Sequence, residues 1–283
     1  MHRLLIDGAA IAYIDSGNAE GGNAEGAGLA PVLLFIHGWT SDHSTFARQL
    51  AHFAPHYRTI CVDLPGHGES DPVTGAAYDI AFYTQRLSAF IAALGLAQSS
   101  IIPIGHSLGG LLALELAARP DAAHPLAILI DPAPLIRSPS VQRSLARTQQ
   151  MIREVGRRRT QQILGDKVFF RRTDPPELPD DVQRIAARTD EEAAIRTWDA
   201  IVGYQAEIAL KNVAVPLLFI NADRPQNREE DIRALVKTLH WGRTIGTGHF
   251  NHMVMPDQVN AMIGDMLRQH FDGLPGLQDS SLS

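Results

Sequence analysis

The chain has 283 residues, of which 45% are hydrophobic and 20% charged, and its formal net charge of -6 gives no electrostatic basis for binding nucleic acid. No apolar run approaches the ~20 residues of a membrane-spanning helix, and the N-terminus turns polar too early for a signal peptide. A single cysteine, Cys61, excludes an intrachain disulfide, so we expect a soluble cytoplasmic protein.

The first elements predicted in chain order are a hairpin, residues 3–6 and 10–14, and a low-complexity surface loop, residues 17–26. Short apolar runs then alternate with segments of helical periodicity. The predicted strands are 32–36, 59–62, 100–104, 126–130, 217–220 and 243–245, and the predicted helices are 45–53, 80–94, 111–118 and 256–271. This alternation predicts an α/β fold with a mostly parallel, twisted sheet flanked by helices.

The alternation stops between Pro132 and Val213. This stretch has no convincing strand and is interpreted as three or four amphipathic helices, separated at residues 174–176 and 178–180. Because it lies between two predicted core strands, we expect an inserted helical cap. The predicted organisation is a core of residues 1–131 and 213–273, a cap of residues 132–212 and a flexible tail of residues 274–283.

The most informative motif is Gly105-His-Ser107-Leu-Gly109, which follows the predicted strand 100–104 and precedes a predicted helix. A Gly-x-Ser-x-Gly turn between a strand and a helix is a nucleophile elbow, which exposes the serine hydroxyl above the sheet. We therefore predict that Ser107 is a nucleophile, and not merely the N-cap of the helix.

A serine nucleophile needs a base to take its proton and an acid to orient that base. His249 lies in a glycine-rich loop before the last helix and is preferred to His252, which begins the descent into that helix. Two acids are candidates. Asp223 ends the penultimate predicted strand, and Asp131 ends the strand that follows the nucleophile helix.

The tetrahedral intermediate of acyl transfer needs two backbone N–H donors, which form an oxyanion hole. The candidates are the N–H groups of Leu108 and of Trp39, in the loop after the first core strand. The other predicted pocket residues are His37, Gly38, His106, Phe169, Trp198 and Tyr204. No His-Glu-x-x-His motif occurs, so we expect no metal.

Four motifs in this order resemble those of the α/β-hydrolase superfamily, in particular its small single-domain serine esterases and lactonases: His37-Gly-Trp39, Asp63-Leu-Pro-Gly-His-Gly-Glu-Ser70, Gly105-His-Ser-Leu-Gly109 and Gly248-His-Phe250. The resemblance covers residues 32–271. Many relatives have a glycine three residues before the acid on the penultimate strand. Here Asn221 replaces it, only two residues before Asp223, which slightly favours Asp131.

The resemblance implies a cofactor-free hydrolase that cleaves a carboxylic ester or lactone through a Ser–His–Asp triad and an acyl-enzyme. Its partner would be a small-molecule substrate, and the protein would be a monomer or homodimer. Two alternatives stay open. One is a C–C bond hydrolase or cofactor-free dioxygenase that uses the His–Asp dyad as a base, and the other is a non-catalytic protein that binds a small molecule.

Overall fold

An eight-stranded sheet forms the centre of the computed structural model, which describes residues 1–17, 30–120 and 124–271. Its strands are β1 (His2–Ile6), β2 (Ala9–Asp15), β3 (Val32–Ile36), β4 (Thr59–Val62), β5 (Ile101–His106), β6 (Ala127–Ile130), β7 (Leu217–Asn221) and β8 (Leu239–Arg243). The strand order is β1-β2-β4-β3-β5-β6-β7-β8. Only β1 and β2 run antiparallel to their neighbours, which confirms the predicted α/β fold.

The central strands, β3 to β7, are buried along their whole length because helices cover both faces of the sheet. Leu34 and Ile36 of β3 belong to the core under one face, while Leu33 and Phe35 belong to the core under the other. Successive side chains of a strand point to opposite faces, so β3 supplies both layers. Cys61 of β4 is fully buried in the second layer.

The helices that the structure describes are α1 (Ala47–Phe53), α2 (Ile80–Ala93), α3 (Leu108–Ala118), α4 (Pro139–Val155), α5 (Arg157–Leu164), α6 (Leu178–Ala186), α7 (Glu191–Gly203), α8 (Ala206–Asn212), α9 (Glu229–Arg233), α10 (Asn251–Val254) and α11 (Pro256–His270). Several helices begin at a polar N-cap residue. The side chains of Asp79, Ser138 and Asp190 each accept a backbone N–H from the first turn of α2, α4 and α7, respectively. In these ranges, no helix is both long and apolar enough to cross a membrane.

The segment between β6 and β7, residues 132–212, contains five α-helices, α4 to α8, and a short π-helix at Gly165–Phe169, so the prediction of three or four was too low. Gly156, with φ of 82°, separates α4 from α5, a break that was not predicted. Pro179 does not separate helices. It stands in the first turn of α6, where a proline is tolerated because the N–H it lacks has no partner there. We call residues 132–212 the inserted segment.

The last strand was predicted at residues 243–245 and lies instead at Leu239–Arg243. It pairs in parallel with β7, and Trp241 stacks on Phe219. Ile245, the apolar residue of the predicted strand, is 72% exposed and belongs to the loop that follows β8. Residues 18–26 of the predicted surface loop and the predicted tail lie outside the described residues.

Candidate active site

Ser107 occupies the sharp turn between β5 and α3, with φ of 54° and ψ of −113°. This backbone region is unfavourable for any residue other than glycine and is held only where the surroundings impose it. The two motif glycines allow the turn: a Cβ at Gly105 would overlap the carbonyl group of Gly109, and one at Gly109 would overlap the carbonyl oxygen of Ile36. The Ser107 N–H also donates to Ile130 O on β6, at 3.1 Å.

His249 and Asp131 form a buried pair in which Nδ1 of the histidine lies 2.6 Å from Oδ2 of the carboxylate. Asp131 directly follows β6, and its Oδ1 accepts the N–H of Ala222, at 3.0 Å. A carboxylate carries no proton, so Nδ1–H is the donor and the lone pair of the neutral ring lies on Nε2. This arrangement leaves Nε2 of His249 able to accept a proton.

Asp223 lies in a different environment. Its side chain is 39% exposed, and its Oδ2 pairs with Arg171, with 3.3 Å between the charged atoms. Within the described part of the chain, Asp131 is thus the carboxylate that the structure brings to His249.

The loop that carries His249 is held by the inserted segment. The backbone N–H of His249 donates to Phe169 O at 2.6 Å, and the Gly248 N–H donates to Asp174 Oδ1 at 3.0 Å. The Phe169 ring stacks on the imidazole of His249, with 5.0 Å between ring centroids. A Cβ at Gly248 would overlap the Phe169 carbonyl oxygen. Asp174 was not recognised from the sequence, because its Asp-Pro-Pro triplet indicated only a break between helices.

The loop after β3 lies against the nucleophile turn. A Cβ at Gly38 would come within 3.1 Å of Ser107 Cβ, so the absence of a side chain permits the close approach. Trp39 is anchored to the inserted segment, since its indole N–H donates to Ala194 O at 2.8 Å and its ring contacts Trp198 edge-on. The backbone of Trp39 therefore has a fixed position beside Ser107.

His37 stabilises this loop from beneath. Its Nδ1–H donates to Gly38 O at 2.8 Å, and its Nε2 accepts the N–H of Leu64 at 2.9 Å. Burial lowers the pKa of His37, in spite of the opposing attraction of Asp63. The ring is consequently neutral and structural. His37 was predicted to line the pocket, but it does not line the cavity described next.

Ser107 and His249 line the same partly open cavity. Gly38, Trp39, His106, Phe169 and Trp198 line it, as predicted, together with Thr40, Ser41, Ala133, Pro134, Leu145, Gln161, Ile201, Gln226 and Phe250. Tyr204 was also predicted to line the pocket, but its hydroxyl donates to Glu115 Oε1 at 2.7 Å, away from the cavity. Gln161 was not identified, because polar residues in a helical segment usually lie on its solvated face. Gln226, in the loop between β7 and α9, was not identified either.

Two further histidines pack behind His249 and are neutral. His106 donates from Nε2 to the carbonyl oxygen of His249, at 2.9 Å, and burial followed by the proximity of His252 keeps its pKa well below the ordinary range. Burial, with a smaller effect of His249, lowers the pKa of His252 to about 3. His252 contacts Phe46 and His106, so it lies deeper in the core than His249.

A strained serine between a strand and a helix of a parallel sheet, beside a buried histidine–aspartate pair, defines the class of α/β hydrolases. A comparison with family models supports the same class: the model of the alpha/beta hydrolase family matches residues 33–262. The chain belongs to this family.

The chain is also similar in sequence to individual known proteins. The chain is 38% identical over 103 residues to a pimeloyl-[acyl-carrier protein] methyl ester esterase from Xanthomonas campestris, a match covering 36% of this chain and 37% of the relative. It is 35% identical over 118 residues to a 2-(acetamidomethylene)succinate hydrolase from Mesorhizobium japonicum, covering 41% of each chain. These matches therefore span about two fifths of the relatives' length or less.

Among solved structures, an esterase from Thermogutta terrifontis superposes with a TM-score of 0.80 at 20% identity, covering 96% of this chain and 100% of that one. At this level of identity the similarity establishes the fold alone.

Proposed function

We propose that the protein is a cofactor-free serine hydrolase that cleaves a carboxylic ester or lactone. The observation that carries this proposal is the 2.6 Å contact between Asp131 and His249, together with the cavity that His249 lines with Ser107. The names of the two sequence relatives, a methyl ester esterase and a hydrolase, support the same reaction class.

In the proposed mechanism, Ser107 transfers its hydroxyl proton to Nε2 of His249 while its oxygen attacks the substrate carbonyl carbon. Asp131 keeps the imidazole in the required tautomer and stabilises its positive charge. The protonated histidine then gives the proton to the departing alcohol oxygen, which leaves an acyl-enzyme. A water molecule deprotonated by His249 attacks the acyl carbon and releases the acid and Ser107.

The negative oxygen of each tetrahedral intermediate would bind the backbone N–H groups of Trp39 and Leu108. Fixed donors of this kind stabilise the developing charge without reorganising during the reaction. The anchoring of Trp39 to Ala194 and the position of Leu108 in the first turn of α3 support this assignment.

We also propose that the inserted segment is a cap that covers the site and shapes its specificity. The segment supplies seven of the cavity's lining residues, and four of them are large and apolar: Leu145, Phe169, Trp198 and Ile201. Three of these are buried in the core that the segment shares with the sheet, and Phe169 packs against that core. An apolar wall with a few polar groups is typical of sites for small molecules.

The test is turnover of p-nitrophenyl esters of increasing chain length, and of lactones, without added metal or cofactor. Ser107→Ala should lower kcat by roughly 10³-fold or more, because nucleophile and base act as a unit. The midpoint of thermal unfolding should stay near that of the wild type.

Ser140→Ala is the matched control, since Ser140 is exposed at the start of α4, and it should retain full activity. Turnover by Ser107→Ala at a rate near the wild type would exclude the serine mechanism. Such a result would direct attention to chemistry in which His249 and Asp131 act as a base without a serine nucleophile.

A further inference from the structure

Gln161 of α5 is a polar residue in the cavity that the proposed mechanism does not use. Its side chain is 2% exposed and lines the same cavity as Ser107 and His249. Gln161 therefore contributes a buried polar side chain to the wall of the cavity in which a substrate would lie.

Thr40 determines which way the Gln161 amide points. The Thr40 hydroxyl has a single proton, which it donates to Trp39 O at 2.8 Å. The same oxygen can then only accept, and it accepts from Gln161 Nε2 at 3.0 Å. The two ends of a glutamine amide are assigned from such partners. This hydrogen-bond chain therefore fixes the NH₂ group on Thr40 and turns Oε1 away from it.

Oε1 of Gln161 has no donor among the residues that the structure describes. A buried carbonyl oxygen without a donor is costly, because it has given up hydrogen bonds to water. The cavity also has large apolar lining residues, Leu145, Trp198 and Ile201. A molecule bound in the cavity could supply the donor that Oε1 lacks.

We infer that Gln161 recognises a hydrogen-bond donor on the substrate, so that the preferred substrate is an ester or lactone bearing a hydroxyl or an amide N–H apart from the scissile bond. This inference rests on the proposed function. Gln161 would act on specificity: its Oε1 contacts a remote substrate group, and the bond-breaking steps remain with Ser107, His249 and Asp131.

The expected substrate selectivity depends on whether the pocket forms a hydrogen bond with the substrate or is wholly apolar. A site built around a hydrogen bond strongly rejects an analogue that lacks the donor, because its own polar atom is then left unpaired. A wholly apolar pocket distinguishes a hydroxyl from a methyl group only weakly. Replacing a substrate hydroxyl by a methyl group therefore tests which kind of pocket is present.

The experiment uses pairs of methyl esters with the wild-type enzyme. In one arm, a hydroxyl is moved one carbon at a time along the acyl chain, and each ester is paired with its methyl-branched counterpart. In the second arm, an acetamido group is paired with N-methylacetamido, which removes the N–H. At one position in at least one arm, kcat/KM should be roughly tenfold or more higher for the donor.

Gln161→Met should remove this preference, since methionine has a similar length and no amide. Gln162→Met is the matched control, because Gln162 is an exposed neighbour on α5 whose Oε1 accepts from Arg159 at 3.2 Å. It should keep the wild-type preference. If the Gln161 variant does not fold, the comparison of paired esters with the wild-type enzyme still tests whether a donor is preferred.

Two results would overturn the inference while leaving the proposed function intact. One is Ser107-dependent turnover of donor-free esters with no donor preference at any position. The other is a donor preference that persists in Gln161→Met. Failure to hydrolyse any ester or lactone would instead overturn the proposed function, and this inference with it.

Discussion

At the scale of single residues, Asp131 shows how the site is held in advance of the reaction. Its φ of 36° lies in the left-handed region, which costs an ordinary residue about 1–2 kcal/mol. Two hydrogen bonds to β7 and its following loop stabilise this backbone: the Asp131 N–H donates to Ile220 O, and the carboxylate accepts from Ala222. With Oδ1 occupied, Oδ2 is directed at His249.

We expect Asp131→Asn and Asp223→Asn to differ sharply. An asparagine at 131 can donate to Nδ1 and stabilise the wrong tautomer of His249, so kcat should fall by roughly 10³- to 10⁴-fold. Asp223→Asn loses only a half-exposed pair with Arg171 and should change kcat less than about threefold. Steady-state kinetics on one ester checks both. Equal, mild losses would mean that neither carboxylate orients the base.

At the scale of elements, the connection between the inserted segment and the His249 loop is the main structural constraint on the site. Asp174 joins the two, since its Oδ1 accepts the Gly248 N–H while its Oδ2 accepts the Arg171 N–H at 2.8 Å. Phe169 adds a backbone contact to His249 itself. The position of the proposed base therefore depends on a segment about 80 residues earlier in the chain.

Asp174→Ala should lower kcat by roughly ten- to a hundredfold, because small displacements of a catalytic group have effects of this size. The binding step should change less, so KM should stay within about threefold of the wild type. Asp166→Ala, at an exposed carboxylate of the same segment, is the control and should leave both constants unchanged. An unaltered kcat in Asp174→Ala would show that His249 keeps its position without this contact.

The sequence predicts local features of this chain better than contacts between distant segments. The apolar runs of β3 and β4 and the Gly-x-Ser-x-Gly turn depend on neighbouring residues, and all three lie where they were predicted. The choice between Asp131 and Asp223 depends instead on which carboxylate reaches His249, which lies 118 residues after Asp131. The orientation of the Gln161 amide likewise depends on a hydrogen bond to Thr40, 121 residues earlier.

At the scale of the whole molecule, the inserted segment and the sheet share one apolar core. Leu145, Trp198 and Ile201 of the segment belong to the same cluster of buried residues as Trp39 and Leu108. The contact between the Trp39 and Trp198 rings, with 4.6 Å between centroids, lies at this junction. On this face of the sheet, each part buries its apolar surface against the other.

We therefore expect one cooperative unfolding transition. In a Trp241→Phe variant, the remaining tryptophans, Trp39 and Trp198, both report on the junction. Denaturation followed by their fluorescence and by far-ultraviolet circular dichroism should give the same midpoint, as two-state unfolding requires. A fluorescence transition well before the loss of helical signal would mean that the inserted segment separates first.

The hydrogen bonds from the His249 loop to Asp174 and Phe169, which we call the clamp, also limit how such an enzyme can evolve. Exchanging the whole segment for that of a relative would replace the atoms that hold Gly248 and His249 as well as the walls of the cavity. Single substitutions on the cavity-facing sides of α5 and α7, at positions such as Gln161 and Trp198, leave the clamp in place. We therefore expect new substrate specificities to arise more readily from single substitutions in the cavity wall than from exchange of the whole inserted segment.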